Sequence, residues 1–481
     1  MARRLDRRRF VIGGASATAG ALLATRNGRG LAAAQDATPI ASPMASPGAS
    51  PVASPTMNTE VSGQLRYLVS ASAQEEIRAI QTILSTTFRE RYPNLEVQVE
   101  PAASGGSGDP LLTSMVAGEA PDIFDAWTSR ATPYIAAGQV LDLKPLMERD
   151  YPAEALADFF PWVLTAQSLP NGFQWGMPRY VNLNVLVYNK DLVEQAGLPD
   201  PTAGMGWDHN AYRDALIKLT QKDGDRTRVY GGHVPVYFYG PFAEKVEAWG
   251  GSAVDPNDRT KATFDSSQGQ ECAEWHRVLM LDEKAIADKQ FLDTGGGQGV
   301  IGALANFGAG RLASIETGFY PFSLADAVGD AFRFGIAPRP GGPGGNPVFG
   351  SADGFTIWNG SKNQEAAWEA VKFMSGPEYQ AALMRSTGLI PVRRSLIPAY
   401  EQTVIEARPA LAEANLAVGL QLLEQNPHER PLFAKGGTDF AADAEVEDIV
   451  NAGLERIFVA ANTPVTFLTE LAQQVTAAMQ A

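Results

Sequence analysis

The chain is poor in the residues that build covalent staples and metal centres. Cys272 is the only cysteine among 481 residues, which excludes an intramolecular disulfide and a cysteine-rich zinc site. His209, His233, His276 and His428 are the only histidines and none neighbours another in sequence, so no metal is expected. Charged residues make up only 19% of the chain, and 39 basic residues face 54 acidic ones for a net charge of −15. So acidic a chain is a poor partner for nucleic acid. Enzyme signatures are missing as well. Gly105-Gly106-Ser107-Gly108-Asp109 lacks the last glycine of a nucleophile elbow. No glycine loop runs into Lys-Ser or Lys-Thr, and no His-Glu-x-x-His occurs. Carboxylate pairs escape this exclusion, since any acidic chain contains them.

What is present begins with an N-terminal export pattern. Asp6-Arg7-Arg8-Arg9-Phe10-Val11-Ile12 matches a twin-arginine signal. The weakly apolar run from Phe10 to Ala24 that follows is short and rich in Gly and Ala, a poor membrane span. Ala32-Ala33-Ala34 offers a cleavage site, and no cysteine follows the run for lipid attachment. Cleavage after residue 34 removes seven Arg and one Asp, leaving 32 basic and 53 acidic residues, a formal −21. Residues 35–60 read as a linker, with Pro39, Pro43, Pro47, Pro51 and Pro55 at four-residue intervals in Ser-Pro-x-Ala units. Such a segment buries no core and is expected to form an extended, semi-rigid tether, spacing the body from the envelope or from an uncleaved signal acting as an anchor.

The rest of the chain is long enough for two domains, and its 45% hydrophobic content suits real cores. Gln64 to Ser70 reads as a strand, followed by a capping box at Ser72-Ala73-Gln74-Glu75 and a helix running to Tyr92. Leu95, Val97 and Val99 alternate as a second strand. Asp109-Pro110 starts a helix that Gly118 ends, and Asp122 to Ala126 is a third strand. This βαβαβ order predicts an α/β fold with mostly parallel sheets flanked by helices. Tyr180 to Tyr188 is a longer strand, after which Asn189 caps a helix closed by Gly197. Further helices are expected from Asp208, over Phe242–Trp249 and over Ser266–Leu281. Strands are expected over Val229–Val236, Leu312–Glu316, Phe332–Ala337 and Phe355–Ile357. Helices dominate after Lys362, the last starting at Thr463-Pro464.

Ligands in open α/β sheets bind beyond the carboxyl ends of strands, and aromatic residues cluster at these ends. Trp127 follows the strand ending at Ala126, Tyr180 opens the long strand, Tyr237 and Tyr239 follow Val236, and Phe319 and Tyr320 follow Glu316. Flat aromatic faces suit the apolar faces of sugar rings, with Asp, Asn and Arg satisfying the hydroxyls. Each aromatic is also a candidate core residue. Asp125, Glu316 and Asp353 are candidate ligand groups that would otherwise serve as caps or turns. Of Arg393 and Arg394, the second is taken as the candidate, the alternative being a solvated pair. Cys272 reads as a buried apolar residue.

Several ordered motifs resemble those of the family 1 extracellular solute-binding proteins of ABC importers, the maltose-binding-protein-like family. They are Gly118-Glu119-Ala120-Pro121-Asp122-Ile123, Gly138 to Leu143, Tyr188-Asn189-Lys190-Asp191-Leu192, Trp249-Gly250-Gly251, Gly310 to Ala313, Phe373 to Gln380, and Gly388 to Arg393. Gly206 stands where the family has Thr before Trp207, and the usual lipobox cysteine is absent. The resemblance covers about 64 to 480. It implies a two-lobed fold, with lobe one over 61–183 and 351–396 and lobe two over 184–350 and 397–481. The crossings would lie at Leu183-Asn184, Gly350 and Leu396. It also implies that Ser72, Asn182 and Trp249 join the candidate ligand residues by motif position. The expected function is capture of a mono- or oligosaccharide between closing lobes, by a monomer without cofactor or covalent chemistry, for delivery to an ABC permease. Polyols and glycerol-phosphate compounds are the exceptions among family ligands. A secreted carbohydrate-active hydrolase and a ligand-sensing partner of a membrane receptor are the alternatives.

Overall fold

The computed structural model describes residues 53–70, 74–102, 110–202, 206–294, 299–425, 427–430, 432–435, 443–460 and 462–481. The export signal, most of the linker, Ser72 and Asp109 lie outside them. Residues 53–60 of the linker contain no regular element, yet they are docked. The Thr56 amide donates to Asp150 O at 2.8 Å, Lys372 Nζ donates to Thr56 O, and Ala53 and Met57 pack on the core. The tether expected over 35–60 is therefore held to the body from Thr56 onward.

One seven-stranded sheet organises the body. Its strands are β1 (Gly63–Val69), β2 (Leu95–Pro101), β3 (Ile123–Ala126), β4 (Met177–Asn189), β5 (Ser314–Gly318), β6 (Phe334–Pro338) and β7 (Gly350–Ile357). β1 lies between β2 and β3 and is parallel to both, as the βαβαβ pattern requires. β7 then pairs antiparallel with β3 on one side and with β4 on the other. β4 is thirteen residues long and changes partners part-way along. Met177 to Leu183 pair with β7, and from Asn184 onward β4 is flanked by β5 and β6. Val181, Leu183, Val185, Leu186 and Val187 are all fully buried. A strand buried on both faces reads as a nearly continuous apolar run, as Val185 to Tyr188 does, while Asn182 and Asn184 interrupt the first half.

The second half of the sheet is less parallel than the sequence suggests. β5 and β6 both run antiparallel to β4, and parallel pairing there is confined to isolated bridges such as Tyr230↔Leu312 and His233↔Ile315. The expected strand over Val229–Val236 is one of the differences. Only Arg226–Val229 is a strand, in a small hairpin with Gln221–Asp223. Gly231 brings the chain so close to the helix His209–Leu219 that a Cβ there would lie 1.9 Å from Leu216 O, and Pro235 has no amide to donate. The helix expected over Ser266–Leu281 is α-helical at Ser267–Arg277 and continues as a π-helical turn over Val278–Asp282. The last helix begins at Phe467 rather than Thr463, because Pro464 O and Val465 O first close a turn with the amides of Phe467 and Leu468.

Helix caps follow the sequence more closely. Asn189 Oδ1 accepts from Leu192 N, Asp208 Oδ1 accepts from Asn210 N and Ala211 N, and Gly197 takes a left-handed φ of 60°. The 3₁₀ turn Arg394–Ala399 leads into the helix Tyr400–Ala407, which still packs on Pro377–Thr387. Beyond it, the Arg408 guanidinium sits 5.0 Å from the Phe322 ring.

Lys372 and Glu369 are almost wholly buried, with Lys372 Nζ 2.7 Å from Asp150 Oδ2 and 2.8 Å from Glu369 Oε1. Burial alone would raise Asp150, but hydrogen bonds from Arg149, Lys372 and Trp368 hold it well below the usual carboxylate range. Removing the ammonium leaves Glu369 buried without its cation, while Asp150 keeps Arg149 and Trp368. Lys372→Met is expected to cost about 3–5 kcal/mol, read as a lowered midpoint in chemical denaturation. An unchanged midpoint would show that the pair is not buried as described.

Candidate functional site

The carboxyl ends of β1 and β3 and the middle of β4 and β7 converge on one cavity of about 500 Å³. From the first half come Ser70, Glu76, Trp127, Tyr180, Asn182 and Asp353; from the second come Ile301, Leu304, Tyr320 and Phe322, among others. Trp127 follows β3 in extended conformation and starts the helix Thr128–Ala136, which leaves its ring 38% exposed. Its Nε1 donates to Ser129 Oγ at 3.0 Å, and the Arg130 guanidinium sits 5.2 Å from the ring centroid. Tyr180 is nearly buried, and its hydroxyl donates to Asp353 Oδ2 at 2.8 Å. Asn182 joins the two sides: Nδ2 donates to Tyr320 Oη at 2.8 Å and Oδ1 accepts from Phe319 N at 3.0 Å.

A single buried guanidinium underlies this surface. Arg179 of β4 donates to Glu76 and lies 3.5 Å from Asp125 Oδ2. Asp125 is fully enclosed and accepts from Tyr67 Oη at 2.6 Å and from Ser70 N at 2.9 Å. Burial raises Asp125 nonetheless, against the opposing pull of Arg179, Tyr67 and Ser70. Asp353 is raised to about 6, mainly by burial and further by Asp125 and Glu76, with Arg179 and the Tyr180 hydroxyl acting the other way. Carboxylates and an amide oxygen are acceptors, so this floor is matched to ligand groups that donate, such as hydroxyls.

A second cavity of about 330 Å³ shares Trp127 and Ser351 with the first and is lined by Asn184, Glu244, Gly350, Glu429 and Arg430. Thr128 Oγ1 donates to Glu429 Oε2 at 2.7 Å, and burial raises Glu429 to about 7. Among the described residues, no group of three His, Cys, Asp or Glu side chains is placed to hold a metal ion.

Of the residues singled out in the sequence, Trp127, Tyr180, Asn182, Tyr320 and Asp353 come together around the larger cavity. Asp125 sits behind it, and Ser72 lies outside the described residues. The others are engaged elsewhere. The Tyr237 hydroxyl is 3.0 Å from His233 Nε2 in the core. Tyr239 is buried beneath Arg430 at 5.0 Å, and Trp249 packs with Cys272 and Trp275. Glu316 is ion-paired with Lys245 at 2.8 Å and faces Arg339 at 3.4 Å. Phe319 is fully buried. Arg394 is exposed on its 3₁₀ turn, while Arg393 is buried and donates to Ser375 O and Ala155 O. Glu76, Ser351, Ser386 and Thr387 line the cavity without having been singled out. Glu76 had a usable signal, an acid in the first turn of the helix after β1.

Comparison with known proteins places this geometry. The model of the bacterial extracellular solute-binding protein family matches residues 70–381. A binding protein of Brucella abortus is 23% identical over 294 residues, 59% of this chain and 65% of its own length. A maltooligosaccharide ABC transporter solute-binding lipoprotein of Streptococcus pneumoniae is 27% identical over 63% of this chain and 67% of its own. An ABC substrate-binding protein from Listeria monocytogenes, solved in complex with cycloalternan, has a TM-score of 0.73 at 22% identity. The match covers 87% of this chain and 99% of that one. Maltose-bound MalE3 of T. maritima has a TM-score of 0.68 at 20% identity, over 86% and 99%. At such identities the structural likeness is one of fold, the two-lobed α/β architecture.

The raised Asp353 has a measurable consequence. Its ordinary value is 3.8 and its folded value about 6. The folded state therefore binds this proton more tightly, and the group counts against folding increasingly as pH rises toward and through 6. Asp353→Asn is expected to raise the thermal midpoint at pH 8 by the equivalent of about 1–3 kcal/mol, with the gain shrinking as pH falls to about 4. A variant no more stable than the parent at that higher pH contradicts the raised value.

Proposed function

The chain belongs to the bacterial extracellular solute-binding protein family, and we propose that it is an exported receptor that captures a carbohydrate between its two lobes for an ABC permease. The observation that carries this is the cavity of about 500 Å³ lined from both halves of the sheet, where Trp127, Tyr180 and Tyr320 offer aromatic faces beside Glu76, Asn182 and Asp353. Aromatic faces stack on sugar C–H surfaces while fixed acceptors take the hydroxyls. That combination suits capture of a polyol ring, and no bond-breaking step is part of the proposal. The cycloalternan and maltose carried by fold neighbours support the same solute class.

Lobe one in this reading holds residues 61–183 and returns at 351, and lobe two begins at 184. The crossings are Leu183-Asn184, Gly350 and a third between Leu396 and Arg408. Ligand contacts from both lobes favour the closed form over the open one, because only the closed form makes both sets at once. The closed monomer then docks on the permease. Export by the twin-arginine route fits Arg7-Arg8-Arg9-Phe10, and among the described residues no helix is long and apolar enough to cross a membrane. Without a cysteine after the signal's apolar run, attachment through an N-terminal lipid is not part of the proposal.

Calorimetric titration of the protein against mono-, di- and oligosaccharides is expected to find a sugar that binds and is recovered chemically unchanged. Trp127→Ala is expected to weaken that sugar about tenfold or more. Bond cleavage in the recovered sugar, or a panel with no binding at all, overturns the reading.

A further inference from the structure

The larger cavity faces a polar, acidic wall with a second wall that carries an apolar patch. The wall from the first half is polar and acidic: Glu76, Asn182 and Asp353 stand beside Trp127 and Tyr180. The opposite wall is built by two helices of the second half, Gly299–Gly308 and Pro321–Val328. It presents an apolar patch of Val300, Ile301, Leu304 and Phe322 together with Ser323 and Asp326 of the second helix, and Leu389, Ser386 and Thr387 also line the cavity. Val300 and Ile301 are 49% and 64% exposed, two of the four large hydrophobic side chains that stand out on the described surface. They are not incidental surface residues, because both line the cavity.

Aliphatic side chains have no donor or acceptor. A hydroxyl pressed against these four side chains loses water and gains no partner from them. An apolar group in the same place gains in proportion to the surface removed from water on both sides of the contact. A plain sugar, hydroxylated around its rim, therefore leaves this apolar patch without an apolar partner.

We infer that the physiological solute is amphipathic: a glycoside whose sugar ring lies on the Trp127–Tyr180–Asp353 side and whose apolar aglycone or acyl group packs against Val300, Ile301, Leu304 and Phe322. This rests on the carbohydrate-receptor reading and narrows it to sugars carrying an apolar substituent. Ile301 and Val300 are then specificity-determining residues that select for the substituent rather than for the sugar.

The test is a set of matched pairs, methyl and p-nitrophenyl glycosides of glucose, galactose, mannose and maltose, titrated calorimetrically into the whole protein. The p-nitrophenyl member of at least one pair is expected to bind about ten times more tightly than its methyl partner, or better. Ile301→Ser and Val300→Ser, both at exposed positions where folding is not at stake, are expected to reduce that ratio about threefold or more. Equal affinities within every pair that binds, or a ratio indifferent to both substitutions, overturn the amphipathic solute and leave the carbohydrate receptor standing. A panel in which neither member of any pair binds overturns both.

Discussion

One strand belongs to both halves of the molecule, and the remaining architecture depends on that. β4 pairs with β7 as far as Leu183 and is flanked by β5 and β6 from Asn184. Because successive side chains of a strand face opposite ways, a slip of one residue would invert every contact on both sides at once. The register is therefore fixed twice over, by the first half's core and by the second's. Any cavity-lining side chain of β4, such as Asn182, has its position relative to both halves determined by the same backbone.

Two of the buried charge clusters lie on either side of the partner switch. On one side Arg179 is enclosed by Glu76 and Asp125. On the other, Asn184 Nδ2 donates to Glu244, which Arg339 also contacts, and Arg339 and Lys245 share Glu316. Such pairs add little net stability over apolar packing, but breaking one is costly. Their effect here is to fix orientation. The second set is balanced, two cations against two carboxylates. In the first set Arg179 stands alone against three acids once Asp353 is counted, and this is why burial leaves Asp353 raised to about 6. The unbalanced set is the one that opens on the cavity.

The sequence made the frame legible and the site only in part. Strand alternation, proline-initiated helices and the Asn189 and Asp208 caps are local signals, and most of them fold as read. That Trp127 and Tyr320 line the cavity was legible from their place just past strand ends, where open sheets bind ligands, whereas Tyr180 lies near the start of β4. Glu316 and Trp249 are engaged away from the cavity for a common reason. A charged or aromatic residue near a strand or helix end is equally well used inside, and only the fold shows that Lys245 and Arg339 meet Glu316 or that Cys272 and Trp275 meet Trp249. The apolar wall was invisible for another reason. Val300 to Phe307 lies in a glycine-rich stretch of poor helix propensity. It becomes a helix by packing, with Gly308 so close to the neighbouring helix that a Cβ would lie 2.0 Å from Ala327 O.

The central claim is that solute is held in the cavity framed by β3, β4 and β7 and by the two helices facing them. A crystal structure of the protein grown with the tightest-binding sugar of the panel tests it most directly. The account predicts the sugar ring against Trp127 with a hydroxyl donating to Asp353, and contacts from both halves. A sugar bound anywhere else, or held by one half alone, would contradict it.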